Sequence, residues 1–126
     1  MTSYPSDRQL GILMGRVLLR LSSETKPEDY DPAISVLTQF ISERRRQQLV
    51  KNPDTAALLF NRACYKNRKA EKVSDQSGQE SLKKSAWEDL KLACDPSADP
   101  ENKEEAQNEP DLASLPNNSD RTWATL

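Results

Sequence analysis

Apolar residues near the start of the chain recur every three or four positions, the spacing of one face of an α-helix. Ser6 or Asp7 can cap this helix, which we predict to run to about Ser22. Burying six large apolar side chains contributes on the order of 10 kcal/mol, less than the cost of ordering about 16 residues at about 1 kcal/mol or more each. The helix therefore needs a partner face from the rest of the fold. The stripe consists of Leu10, Leu13, Met14, Val17, Leu18 and Leu21.

A polar connector that contains Pro27 separates this helix from the next one. Asp31-Pro32 is typical of a helix start, because proline holds φ near the helical value. The helix that follows has an apolar face made of Ala33, Ile34, Leu37, Phe40 and Ile41. Together the two helices predict a first hairpin, which Pro53 closes.

A second hairpin is predicted between Asp54 and Pro96. Asn52-Pro53-Asp54 is a helix-start signal, with Asp54 as the expected capping residue, and the helix extends to about Lys72. Residues 74–78 have the composition of a turn. The next helix carries an apolar stripe and ends at Asp95-Pro96. That stripe is Leu82, Ala86, Leu90 and Ala93, with Trp87 and Cys94 beside it.

The remainder of the chain is weakly patterned. A short helix after Pro100 can cover the open side of the second hairpin through Ala106, Leu112 and Leu115; self-association or a partner protein would serve equally well. We expect one helical domain over residues 1–115 and a flexible tail over 116–126. Trp123 in that tail either anchors it on a groove or stays in solvent.

The composition favours an all-α protein. The 126 residues are 35% hydrophobic and 30% charged, with three glycines and few aromatic residues, which argues against a β-sheet protein. We therefore predict antiparallel helical hairpins with four to five helices.

Small residues in the second hairpin follow a recognisable order: Ala63 in its first helix, then Ala86, Leu90, Ala93 and Pro96. This order resembles the tetratricopeptide repeat (TPR) family, and Asn61-Arg62-Ala63 is similar to the Asn-Arg-Ala of its co-chaperone members. In the first hairpin, Gly15, Ala33, Leu37 and Pro53 resemble a looser copy. Ala63 and Ala86 are 23 positions apart, where the family's repeat of about 34 residues has about 12. The resemblance implies two degenerate units with longer helices, an α–α superhelix and a protein-binding groove.

The cysteine content bears on compartment and cofactors. Cys64 and Cys94 lie on different predicted helices beside apolar stripes, so we expect two buried free thiols. With no evident secretory leader, this favours a reducing, cytoplasmic setting, although organelle targeting stays open because Arg8, Arg16 and Arg20 lie near the start. The chain has no histidine and no third cysteine, so we predict no metal site and no cofactor. No segment is long and apolar enough to suggest a membrane span.

Charge is unevenly distributed along the chain, whose net charge is −2. Residues 44–72 contain nine basic and two acidic residues, net +7, and residues 95–120 contain eight acidic residues and Lys103, net −7. Three interpretations are open: a groove for an acidic or carboxylate-ended peptide, a nucleic-acid surface, and an acidic C-terminal part that folds back over the basic face. The resemblance to co-chaperone repeats places Asn61 in a groove. Candidate partner-binding residues are Arg45, Asn61, Arg62, Tyr65 and Lys66.

Candidate catalytic residues are lacking. Without histidine the common nucleophile–histidine pairs are excluded, and no phosphate-binding loop or nucleophile elbow is present. Glu88 and Asp89 are adjacent on a predicted helix, point in different directions and are expected to be exposed. We therefore predict a non-enzymatic protein-interaction module, a small adaptor or chaperone-like holder, or a subunit of a homo-oligomer or larger complex. Nucleic-acid binding through residues 44–72 is the alternative.

Overall fold

The computed structural model describes residues 7–47, 52–116 and 121–126. Within these ranges the chain forms five α-helices and no β-strand, which confirms the all-α prediction. The helices are α1 (Asp7–Arg20), α2 (Asp31–Arg46), α3 (Pro53–Lys72), α4 (Gln76–Ala93) and α5 (Asn102–Asn108). Short 3-10 turns occupy Pro27–Tyr30, Pro110–Leu112 and Trp123–Thr125.

Side-chain caps fix the starts of the two longest helices. The Asn52 side chain accepts a hydrogen bond of 2.9 Å from the Asp54 amide at the start of α3, so Asn52 is the cap and the prediction of Asp54 was wrong. Asp54 instead forms an ion pair, because its carboxylate lies 3.2 Å from the Arg44 guanidinium at the end of α2. At α4, Asp75 accepts a 2.7 Å hydrogen bond from the Gly78 amide.

Cross-helix contacts show that α2, α3 and α4 are antiparallel in succession. Arg62 reaches Asp89 while Lys66, one turn later, reaches Ser85 one turn earlier on α4. In the same way Arg62 contacts Thr38 on α2, and Lys69 contacts Asp31 at the start of α2. Helix α3 therefore lies between α2 and α4 as the central helix of the stack.

Helix α1 packs against α2 and α3 through glycines. A Cβ atom at Gly11 would lie 2.7 Å from Cδ2 of Leu58, and one at Gly15 would lie 3.3 Å from Cε2 of Tyr65. Because Gly11 meets Leu58 and Gly15 meets Tyr65, α1 runs in the same direction as α3. The small residues allow a close approach between the helix backbones.

The buried side of α1 is not the side that the apolar stripe predicts. Leu18 packs against the core, but Leu10, Leu13, Met14, Val17 and Leu21 are exposed. The expectation that the rest of the fold covers this stripe is therefore wrong for five of its six residues. The side of α1 that carries Gly11, Gly15 and Leu19 turns inward instead.

Two buried clusters meet along α3. The first joins the 3-10 turn before α2 with α1, α2 and α3 through residues such as Tyr30, Leu37 and Leu58. The second holds Ala63 and Ala86, both fully buried, together with Leu90, Leu112 and Leu115. Phe60 packs against both clusters, so α3 ties the two halves of the molecule together.

The last described residues lie on α4. Nε of Arg121 donates to the Leu115 carbonyl at 3.0 Å, and its two terminal nitrogens each lie 3.2 Å from a Glu80 carboxylate oxygen. The Trp123 ring lies 6.3 Å from that of Trp87, centroid to centroid. Trp123 is thus an anchor for the end of the chain, one of the two alternatives left open by the sequence. The predicted flexible tail over 116–126 includes residues 117–120, which lie outside the described residues.

Candidate functional site

A cleft of about 580 Å³ runs between α1 and residues 99–111, which comprise α5 and its flanking residues and are called the α5 region below. Helix α3 forms the floor of this cleft. The floor is partly apolar, because Phe60 is half-buried and the buried Cys64 and Tyr65 lie beside it. Ile12, Arg16 and Leu19 form the α1 wall. The opposite wall is lined by Asp99, Glu101, Asn102, Glu105, Glu109 and Asp111.

The acidic wall has a regular spacing. Glu101, Glu105 and Glu109 follow each other at intervals of four residues, which is about one helical turn. The same three carboxylates also line a second, more open depression, which shares Phe60 with the cleft. None of the three forms an ion pair with a described residue, although Glu109 accepts a 3.2 Å hydrogen bond from the Asp111 amide. The wall therefore presents negative charge to the cleft without internal compensation.

The pKa values of neighbouring groups reflect this negative field. Burial raises the pKa of the Asp111 carboxyl above its ordinary value, and Glu109 raises it further, against the opposing effect of Arg68. Burial also raises the pKa of the Cys64 thiol strongly, with additional contributions from Glu109 and Asp111. A cation placed in this cleft would relieve the repulsion between these carboxylates.

Two arginines border the cleft. Arg68 is already engaged: it contacts the Glu24 carboxylate, lies 3.7 Å from Asp111, and its guanidinium carbon is 5.4 Å from the centre of the Tyr30 ring. Arg16 on α1 is exposed and has no ion pair with a described residue. With five acidic and two basic side chains, the cleft lining is net negative.

The structure divides the five predicted site residues. Asn61 and Tyr65 line the cleft, but the Asn61 amide donates a 2.9 Å hydrogen bond to the Ala57 carbonyl of its own helix. Arg62 and Lys66 lie on the other side of α3, against α4. Arg45 is exposed in the last turn of α2 and does not line the cleft. The predicted groove residues therefore do not converge on one surface.

Arg62 and Lys66 share a buried carboxylate. Two guanidinium nitrogens of Arg62 each donate to Asp89 at 2.7 Å, and Nζ of Lys66 lies 2.8 Å from the same carboxylate. Asp89 is 4% exposed, so its predicted exposure was wrong, whereas Glu88 is exposed as expected. Burial lowers the pKa of the Lys66 ammonium, and the hydrogen bond to Asp89 opposes that shift.

The basic middle of the chain is largely neutralised by the fold. Arg44 pairs with Asp54 at 3.2 Å, Arg46 with Glu43 at 2.6 Å and Lys69 with Asp31 at 2.5 Å. In the described ion pairs of residues 44–72, the acidic C-terminal part supplies one carboxylate, that of Asp111, which lies 3.7 Å from Arg68. The C-terminal part thus folds back beside α3, while most of the counter-charges come from elsewhere in the chain.

Some findings concern other classes of site. Both cysteines are free and buried, as predicted. In the part of the chain that the structure describes, no group of three or more cysteine and acidic side chains is arranged to hold a metal ion. No helix within the same ranges has the length and hydropathy that a bilayer span requires.

The residues that sequence reasoning missed are Arg16, Glu101, Glu105 and Glu109. The spacing of the three glutamates was a usable signal, but without the position of α5 against α3 it could not be told from a solvated helix face. Comparisons of this chain with models of protein families, with curated proteins and with solved structures found no match.

Proposed function

We propose that this protein is a small recognition module that holds a segment of a partner protein in the cleft between α1, α3 and α5. The observation that carries the proposal is the row of unpaired carboxylates, Glu101, Glu105 and Glu109, beside the half-buried ring of Phe60. A cleft with an apolar floor and a charged wall suits a peptide whose side chains are apolar and basic.

The chemistry of lysine and arginine fits this arrangement. Their aliphatic stems can lie along the ring of Phe60 while their charged ends reach Glu105 or a neighbouring carboxylate. Successive basic side chains two residues apart in an extended peptide are about 6.6 Å apart, close to the rise of about 5.4–6 Å per helical turn between the glutamates. Several glutamates can therefore be engaged at the same time.

The partner segment proposed here is basic, whereas the charge pattern of the sequence suggested an acidic one. An acidic or carboxylate-ended ligand would need Asn61, Arg62 and Lys66 to face the groove together. The Asn61 amide is bonded to its own helix, and Arg62 and Lys66 are bound to Asp89. A basic ligand uses the carboxylates that have no such partner.

Further expectations from the sequence remain proposals, and the structure supports them to different degrees. The succession of antiparallel helices, with α1 alongside α3, agrees with two degenerate TPR-like units. Nucleic-acid binding has less support, because many basic residues of the middle region are already paired with carboxylates. The absence of histidine from the sequence favours binding over catalysis, and two buried free thiols favour a reducing compartment.

The test is a binding measurement with a short synthetic peptide in which lysine and leucine alternate. We expect saturable binding that Glu105→Lys weakens about tenfold or more and that Phe60→Ala also weakens. Glu88→Lys is the matched control, because Glu88 is an exposed glutamate on α4 outside the cleft. Preference for a glutamate–leucine peptide, or equal effects of Glu105→Lys and Glu88→Lys, would overturn the proposal.

A further inference from the structure

The outer face of α1 is an apolar stripe that no described part of the chain covers. Leu13 is 59% exposed and Leu21 is 80% exposed, and Leu10, Met14 and Val17 on the same helix are also exposed. Residues 10, 14, 17 and 21 are spaced by four, three and four, which is the seam that one α-helix offers to another. This seam lies on a different side of α1 from Gly11 and Gly15, which pack into the core.

Positive charge borders one edge of this stripe. Arg16 and Arg20 are exposed, lie one helical turn apart beside Leu13, and form no ion pair with a described residue. The sequence has no acidic residue from Arg8 to Ser23. The α1 stripe, comprising Leu10, Leu13, Met14, Val17 and Leu21, is therefore apolar in the middle and basic along one side.

The position of α1 in the stack explains why the stripe is open. Helix α3 is covered by α1, α2 and α4, but α1 has α2 and α3 on its inner side and is the outermost helix of the stack. A further helix laid on the α1 stripe would continue the same helix-on-helix packing. Five large apolar side chains of a small protein would then be removed from water.

A second copy of the chain is a poor occupant of this surface. In an antiparallel two-fold pairing of the α1 stripe with itself, the arginines of both copies would meet on one edge. In a parallel pairing they would face the other edge of the partner's α1, and residues 8–23 supply no carboxylate there either. The charge pattern calls instead for an apolar seam with acidic residues along one edge.

We propose that the α1 stripe docks an amphipathic α-helix of another protein, with carboxylates along one edge that pair with Arg16 and Arg20. Arg16 lies at the border between this surface and the cleft, whose α1 wall it also forms. The stripe residues and Arg20 are separate from the cleft floor at Phe60 and from the glutamates of the α5 region. The protein would thus carry two binding surfaces of opposite charge preference, which is the arrangement of an adaptor.

The probe is a synthetic amphipathic helix with leucines at the seam positions and glutamates along one edge, compared with a version that carries lysines along that edge. We expect the full chain to bind the glutamate version about tenfold or more tightly than the lysine version. Leu13→Glu should abolish binding, and Leu92→Glu, a change at an exposed leucine of α4, should leave it unchanged. The lysine–leucine peptide that tests the cleft should not displace this helix, which separates the two surfaces.

Reversing the charge of Arg20, an exposed residue, tests the proposal with a variant whose folding should be little affected. Arg20→Glu should weaken binding of the glutamate helix and strengthen binding of the lysine helix. Equal binding of the two helices, or no binding of either, would overturn the proposal. Binding of the chain to phosphatidylserine vesicles that Leu13→Glu abolishes would assign the stripe to a membrane surface, and a dimer that Leu13→Glu dissociates would assign it to a second copy. Either result would also overturn it.

Discussion

Arg62 on α3 and Asp89 on α4 form a two-point ion pair, with both nitrogen–oxygen distances at 2.7 Å and both side chains almost completely removed from solvent. Lys66 adds a second cation to the same carboxylate at 2.8 Å. Two residues proposed from the sequence as ligand contacts are therefore part of the packing between α3 and α4. Both side chains join α3 to α4 through one buried carboxylate.

Removal of the shared carboxylate should destabilise the protein strongly. Asp89→Asn leaves two nearly buried cations without their anion, and we expect a loss of about 3–5 kcal/mol in the free energy of unfolding. Urea denaturation of wild type and variant measures it. Glu88→Gln changes the adjacent exposed carboxylate and should alter stability by about 0.5 kcal/mol or less. Equal effects of the two variants would mean that the buried pair makes no net contribution.

The close approach of α1 to α2 and α3 depends on Gly11. A Cβ atom there would already lie 2.7 Å from the Leu58 side chain, so the larger Gly11→Leu change should force α1 away and cost about 1–3 kcal/mol or more. Thermal unfolding of the variant measures this. Met14→Leu, which keeps a side chain of similar size on the exposed side of α1, is the control and should have little effect. A Gly11→Leu variant as stable as wild type would contradict the described packing.

Asp111 provides a pH-dependent prediction. Burial raises its pKa in the folded protein, so folding disfavours the carboxylate form. The stability that the neutral carboxyl contributes is fully present below the unfolded pKa and is lost as pH rises through the folded pKa. At neutral pH, Asp111→Asn should therefore raise the melting temperature slightly. The difference from wild type should vanish in acid, where both side chains are neutral. A variant that is less stable than wild type at neutral pH would show that attraction to Arg68 outweighs burial.

The two thiols should resist modification in the native protein. Burial raises the pKa of Cys94 to about 11 and that of Cys64 further, so little thiolate forms at pH 8. Iodoacetamide should label neither cysteine in the folded chain and both after unfolding in urea, as measured by mass spectrometry. Rapid labelling of Cys64 under native conditions would mean that the cleft floor opens far more than the structure indicates.

Much of the fold could be predicted because local signals coincide with tertiary packing. Asp31-Pro32 starts α2, and Ala63 and Ala86 are buried in one cluster as the spacing of small residues suggested. The stripe on α1 was misinterpreted because helical spacing shows that a face is apolar and does not show that it is covered. Gly11 and Gly15 mark the inner face through their lack of a side chain, which a count of apolar residues does not register.

The candidate site was less accessible to sequence reasoning. Arg62 and Lys66 looked like free cations, because the carboxylate they share is 27 and 23 residues away along the chain. The cleft needs α1, α3 and the α5 region together, and its acidic wall follows from how α5 lies beside Phe60. Only tertiary structure distinguishes a charge that is neutralised by the fold from one that faces a cleft.

We propose above all that the cleft between α1, α3 and α5 binds a basic segment of a partner protein. The most direct test is backbone amide NMR of the chain titrated with the lysine–leucine peptide. The largest shift changes are expected at Ile12, Phe60 and Glu105, saturating with peptide concentration. No change, or changes confined to the depression on α4 lined by Lys84, Trp87 and Lys91, would contradict the claim.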